Sequence, residues 1–242
     1  MSAWASDFRV LRQLLLHRTT GNTHQDRLES FYGKQAGDYD GFRSRLLHGR
    51  RPLIEKIEFE KGGVWVDLGC GTGENLTLAG DRARELSEVH LVDLSPSLLK
   101  FAEHRGSQDG PVVKTHLADA TTFQAIDRQA DLVTFSYSLT MIPDWFAAVE
   151  AAIKLLRPGG QIGVTDFYVS RKHADKGMHQ HGGLRRAFWQ HWFAADNVFL
   201  NGDHLAMLQR HFETVHLSEN FGKVPYLPLL RAPYYVYVGR RV

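Results

Sequence analysis

Val64-Trp65-Val66-Asp67-Leu68-Gly69-Cys70-Gly71-Thr72-Gly73 decides the fold of this 242-residue chain. An apolar, β-branched run ends in an aspartate and then in three glycines at alternate positions. That pattern predicts a buried parallel strand feeding a tight turn. Glycines there let the backbone reach dihedrals closed to other residues and keep a Cβ out of a ligand's path. Glu74 and Asn75 open a helical stretch to about Leu86, whose positive end faces the turn. Strand, glycine turn and helix make half of a nucleotide-binding unit.

The spacing separates one nucleotide class from another. A dinucleotide fingerprint reads G-x-G-x-x-G and aims a helix N-terminus at a pyrophosphate. Here Gly69, Gly71 and Gly73 run G-x-G-x-G, with Asp67 two residues ahead of the first. A carboxylate there repels a pyrophosphate and suits a ligand that carries an ammonium group. The stretch resembles the first motif of class I S-adenosylmethionine (SAM)-dependent methyltransferases. The resemblance implies SAM as cofactor and S-adenosylhomocysteine as product. It also implies a Rossmann-like α/β fold: a seven-stranded, mostly parallel sheet with an antiparallel last strand, plus an N-terminal helical lid.

Strand ends further along carry the same signature. Glu88–Asp93 reads as a second parallel strand, and Asp93 at its end suits the two hydroxyls of a ribose. Ser95-Pro96-Ser97 caps the helix that follows, to about Arg105. Val112–Leu117 is a third strand, followed by Asp119 and Ala120. That pair resembles the methyltransferase adenine clamp, with Asp119 accepting from the exocyclic amine and the Ala120 N–H donating to the ring. A turn-forming aspartate is the other reading of Asp119. Ala130–Trp145 holds the fourth strand and its loop, and Ser136, Tyr137 and Ser138 fall where open α/β sheets bind ligands. A helix over 147–156, a break at Arg157-Pro158-Gly159-Gly160 and a strand over 161–167 follow. Phe212–Leu217 and Tyr234–Val238 close the sheet as a hairpin.

Composition bounds the function. Lys and Arg number 29 against 27 Asp and Glu, for a formal charge of +2, so no bulk basicity argues for nucleic acid. The single cysteine, Cys70, excludes an internal disulfide and fits a reducing, cytoplasmic setting. No apolar run approaches the ~20 residues of a spanning helix. The histidines show no recognised metal-ligand spacing, so no metal is expected.

Two segments stand outside the strand–helix alternation. Residues 1–60 read as a helical lid: Trp4, Phe8, Leu11 and Leu15 form one helical stripe, which either packs on the core or rests on a lipid surface. Within Phe31–Arg43, Tyr32 and Tyr39 are placed for the methionine end of the cofactor and Arg43 for its carboxylate. A surface helix with its aromatics turned to the core is the alternative. Residues 168–210 read as a substrate-side insertion, with a basic stretch (Arg171 to Arg186) ahead of Phe188, Trp189, Trp192 and Phe193. These aromatics suit either a membrane interface or the core of a helical cap. The whole of 1–242 is expected as one domain.

Three rarer runs narrow the family: Tyr39–Arg43, Thr134–Trp145 and Phe188–Phe193. With them the chain resembles, over most of its length, the betaine-lipid N-methyltransferases. This implies methylation of the amine of diacylglyceryl-homoserine, three times over, to diacylglyceryl-trimethylhomoserine. It also implies a lipid substrate at a membrane surface, a peripheral location, and association with the enzyme that makes the homoserine lipid. A soluble amine or phenol is the alternative acceptor. Methyl transfer needs a neutral nucleophile in line with the methyl, so the site must favour the free amine. Tyr32, Tyr39, Tyr137 and Trp145 are expected at the mouth, where aromatic faces bind a quaternary ammonium. Tyr39 and Tyr137 are the candidates to orient the amine, and His179 or His181 to take protons. Asp67, Gly69, Gly71, Gly73, Asp93, Asp119, Ala120 and Ser136, with Tyr32 and Arg43, form the expected cofactor set.

Overall fold

The computed structural model describes residues 45–106, 110–124, 126–195, 197–225 and 227–242. The Trp4–Leu15 stripe and the Phe31–Arg43 stretch, with Tyr32, Tyr39 and Arg43, lie outside the described residues.

Seven strands form one sheet: β1 (Val64–Leu68), β2 (Glu88–Asp93), β3 (Val112–Leu117), β4 (Ala130–Ser136), β5 (Leu156–Phe167), β6 (Phe212–Val224) and β7 (Leu227–Arg241). Their order is β3-β2-β1-β4-β5-β7-β6. Six run one way, and β7 lies antiparallel to both of its neighbours. The sheet expected from the sequence is the sheet observed. All five residues of β1 are buried, because β2 and β4 flank it and helices cover both faces. A strand shielded on both faces reads as an unbroken apolar run rather than an alternating one.

Helices α1 (Arg50–Lys56), α2 (Glu74–Ala79) and α3 (Pro96–Ala102) supply one face. Leu53, Ile57, Leu76 and Leu99 pack there against Trp65, Leu91 and Leu132. On the other face, α4 (Trp145–Leu155) and α6 (His204–His211) set Val149, Ala152, Leu205 and Leu208 against Val66, Val133 and Ile162. Helix α5 (Gly183–Ala194) turns Trp189 and Phe193 into a third cluster with Tyr137, Phe167 and Val169.

Three details depart from the sequence reading. Helix α2 stops at Ala79, well before Leu86, because Gly80 takes φ 51° and turns the chain into a 3-10 segment, Gly80–Ala83. The Pro-Gly-Gly break is accommodated within β5: its register on β4 jumps from Ala130↔Leu156 to Leu132↔Gln161, so residues 157–160 form a bulge. The described part of the expected lid, residues 45–60, holds a core helix, since Leu53 and Ile54 of α1 are buried against the sheet.

Candidate active site

The order of the strands reverses between β1 and β4, and the crevice at such a switch point is where open α/β sheets bind ligands. A cavity of about 250 Å³ opens there, lined by Arg50, Gly69, Gly71, Asp93, Asp119, Ala120 and the segment that follows β4.

The glycine turn forms the floor. Gly69, Gly71 and Gly73 all take positive φ, at 71°, 59° and 73°. A Cβ on Gly69 would sit 2.4 Å from the Ser138 Cβ, whereas one on Gly71 would meet nothing within 4 Å. The first glycine is therefore required by packing and the second leaves open space. The turn is pinned to β2: the Gly69 and Cys70 N–H groups donate to the Val92 carbonyl, at 2.8 and 3.0 Å. The Gly71 N–H donates to Asp93 Oδ2 at 2.8 Å, and the Ser95 N–H to Asp93 Oδ1 at 2.9 Å. Asp93 thus faces the cavity and also locks the turn.

Asp67 does something other than the sequence suggested. Its carboxylate does not line the cavity. It is fully buried beneath the turn, accepting from Asn75 Nδ2 at 3.1 and 3.0 Å and from Thr134 Oγ1 at 2.6 Å. The Trp65 indole N–H in turn donates to Thr134 Oγ1 at 2.8 Å. Burial pushes the Asp67 carboxyl up to about 6, against the hydrogen bonds from Thr134 and Asn75. A direct contact with a ligand ammonium gives way to a supporting role for β1, β4 and α2.

Asp119 and Ala120 line the cavity as expected. Asp119 Oδ1 accepts the Thr121 N–H at 2.8 Å and the Thr121 hydroxyl at 2.7 Å, so the carboxylate forms a turn at the edge of the cavity. Ser136 lines the cavity too, and its buried Oγ has no hydrogen-bond partner among the described residues. A buried hydroxyl without a partner is costly.

Tyr137 lines the cavity, but its hydroxyl serves the scaffold. The residue takes φ 56° where the chain leaves β4, a left-handed conformation that non-glycine residues rarely adopt. Its hydroxyl accepts the Gly49 N–H at 2.9 Å, just ahead of α1. Burial drives its pKa well above the ordinary phenol value. The hydroxyl expected to orient the amine is thus buried and already accepts a backbone N–H. Trp145 is turned inward: it lies edge-on to His204, centroids 4.6 Å apart, and does not line the cavity. His179 and His181 stand elsewhere as well. The His179 N–H donates to Glu219 at 2.7 Å, and His181 Nδ1 accepts the Ser170 N–H at 3.1 Å.

Sequence reasoning missed Arg50, the first residue of α1, which lines the cavity and whose charge opposes the rise in the Asp67 pKa. It missed the apolar wall as well: Leu94, Leu98, Met141 and Ile142. Leu94 directly follows Asp93, which was a usable signal; nothing local marked Arg50.

Fold, glycine turn and cavity together have the Rossmann-like architecture of class I methyltransferase structures, and SAM is the cofactor that this architecture fits. The residues fit that ligand: acidic groups at two strand ends, an unsatisfied hydroxyl, a cation and a glycine turn surround one cavity. Residues 66–160 match the family model described as a methyltransferase domain. The chain is 27% identical over 148 residues to the ubiquinone/menaquinone biosynthesis C-methyltransferase UbiE of Hydrogenovibrio crunogenus, covering 58% of each chain. It is 31% identical over 153 residues to the ubiquinone biosynthesis O-methyltransferase of Xanthomonas axonopodis pv. citri, covering 60% of this chain and 62% of that one. The chain thus spans about three fifths of the curated relatives it matches. Among solved structures, the YcgJ protein of Bacillus subtilis superposes with a TM-score of 0.63 at 13% identity, covering 80% of this chain and 98% of that one. The N-methyltransferase NodS from Bradyrhizobium japonicum superposes with a TM-score of 0.57 at 14% identity, covering 84% and 98%.

Proposed function

We propose that the protein is a SAM-dependent N-methyltransferase acting on the amine of diacylglyceryl-homoserine, three times in succession, at a membrane surface. One observation carries this reading. The run Thr134–Trp145, on which the resemblance to the betaine-lipid enzymes rests, contributes Ser136, Tyr137, Ser138, Met141, Ile142, Pro143 and Asp144 to the cavity wall. The residues that distinguish the family are thus those a methyl acceptor would meet.

SAM supplies an electrophilic methyl group on a sulfonium. The chain's own residues bind and orient. Asp93 accepts from the ribose hydroxyls, and Asp119 with the Ala120 N–H reads the adenine. The glycine turn, Ser136 and Arg50 take the amino-acid end, Arg50 meeting its carboxylate. Met141, Ile142 and Pro143 exclude water beside the acceptor, which favours the neutral amine over the ammonium. Asp144 stands at the cavity as the acceptor toward which the amine's proton can leave; its Oδ1 also caps α4 through the Ala147 N–H, at 3.1 Å. Catalysis on this reading is positioning and desolvation rather than covalent chemistry.

A second reading, C- or O-methylation of a quinone precursor, draws on the descriptions of the relatives. Transfer of radiolabelled methyl from SAM to a lipid extract separates the two. Label in a zwitterionic lipid only when diacylglyceryl-homoserine is supplied supports the first. Label in a quinone fraction, or in a soluble amine alone, replaces it.

A further inference from the structure

Between Lys223 of β6 and Arg231 of β7 the sequence runs Val224-Pro225-Tyr226-Leu227-Pro228-Leu229-Leu230, seven residues without a charge. Lys223 and Arg231 bracket it as cross-strand partners, and both are exposed. Val224 and Leu230 pack on the cluster beneath α5. Leu229, the next residue along an extended strand, points the other way and is 95% exposed.

Helix α5 repeats the arrangement. Trp189 and Phe193 face inward, whereas Leu184 and Phe188, one turn apart on the outer side, are 91% and 42% exposed. Hairpin tip and helix therefore share one buried cluster, and each presents apolar side chains to water. Exposed apolar surface of this kind marks an interaction site.

Charge identifies the partner. From Arg171 to Arg186 the chain carries five Lys or Arg and one Asp; of these cations Arg171 is paired with Asp203. Arg185 and Arg186 lie on α5 itself and Lys223 and Arg231 flank the tip, so both halves of the apolar centre carry cations. That is the composition of a surface whose leucines enter the acyl boundary while its cations meet anionic headgroups.

We propose that the β6–β7 tip and the outer face of α5 form a docking surface for a bilayer with anionic headgroups. This rests on the lipid-substrate reading only for its purpose. Phe193 on the inner side of α5 lies 4.5 Å from Phe167, and Phe167 lies 4.7 Å from Tyr137 on the cavity wall. One helix, about 10 Å across, thus stands between the docked face and the wall of the cavity.

The test is co-sedimentation of the full chain with vesicles of phosphatidylcholine, with and without phosphatidylglycerol. Wild type should bind the mixed vesicles and release with salt. Leu184→Glu with Leu229→Glu should lose binding by about tenfold or more while keeping its SAM affinity, and Lys223→Glu with Arg231→Glu should lose the preference for phosphatidylglycerol. No binding by wild type, or undiminished binding by the leucine double variant, overturns the proposal. So does a lipid-free wild-type dimer that the same variant dissociates, which would make the face a protein interface. Transfer to detergent-dispersed diacylglyceryl-homoserine tells the two proposals apart: docking can fail while that transfer persists, and the reverse outcome removes only the substrate.

Discussion

Asp166 and Thr140 meet in a buried contact: the carboxylate accepts the Thr140 hydroxyl at 2.7 Å and the Thr140 N–H at 3.1 Å. The Phe167 N–H adds a third bond, at 2.8 Å. The end of β5 is thereby tied to the 3-10 turn Leu139–Met141, in the middle of the segment that walls the cavity. Asp166→Ala would strand three donors in the core, and each such orphan costs about 1–3 kcal/mol. In the milder Asp166→Asn, the wall should shift and SAM should bind about tenfold more weakly (roughly 1.4 kcal/mol) by calorimetry. Undiminished affinity would show that the turn holds its shape without the carboxylate.

The same residue governs a pH dependence. Burial raises Asp166 from the ordinary 3.8 to about 7 and Asp67 to about 6. Both carboxyls bind protons more tightly folded than unfolded. Their contribution is fully present below pH 4 and is lost as pH rises through 6 to 7. Urea midpoints for wild type and Asp166→Asn should therefore diverge between pH 4 and 7, the variant showing the shallower loss as pH rises. Parallel curves would mean that Asp166 is ionised throughout.

His204 acts in the opposite sense. It is fully buried, its ring nitrogens have no partner among the described residues, and burial depresses its pKa to about 3. The unfolded chain takes up a proton near the ordinary 6.5 and the folded chain does not, so stability is lost as pH falls from 6.5 toward 3. His204→Phe should retain more stability than wild type at pH 5, seen as a smaller drop in Tm between pH 7 and 5. An unchanged drop would place the acid sensitivity elsewhere.

Tyr137 separates scaffold from chemistry. Tyr137→Phe leaves the Gly49 N–H without its acceptor and should cost about 1–3 kcal/mol of stability. With both substrates saturating, kcat should stay within about threefold of wild type. A fall of several hundredfold with SAM binding intact would restore Tyr137 as a catalytic residue.

The glycine turn and Asp93 offer a paired test of the cofactor site. Asp93→Ala removes the acceptor for the Gly71 and Ser95 N–H groups as well as a cavity carboxylate, and should weaken SAM binding by about a hundredfold (~2.8 kcal/mol). Gly69→Ala drives a methyl against Ser138 and should chiefly unfold the protein. Gly71→Ala meets open space and should cost only backbone strain, about 1–3 kcal/mol, while losing SAM. If both glycine variants behave alike, the cavity is not where the cofactor sits.

The sequence alone determined the sheet. The central strands β1 and β4 are local apolar runs, and their parallel direction follows from the strand–helix alternation. It also determined which strand ends carry carboxylates, because a strand's C-terminal end is a sequence position. Asp93, Asp119, Ala120 and Ser136 were legible for that reason. Tertiary structure decided which way each side chain points and what it touches. Asp67 turned from ligand contact to buried support because Thr134 and Asn75, 67 and 8 residues away, converge on it. Tyr137 gave its hydroxyl to Gly49, 88 residues back. Arg50 came to the cavity because α1 packs on the sheet beside the glycine turn. Such pairings depend on long-range packing, and no local pattern of residue types encodes them.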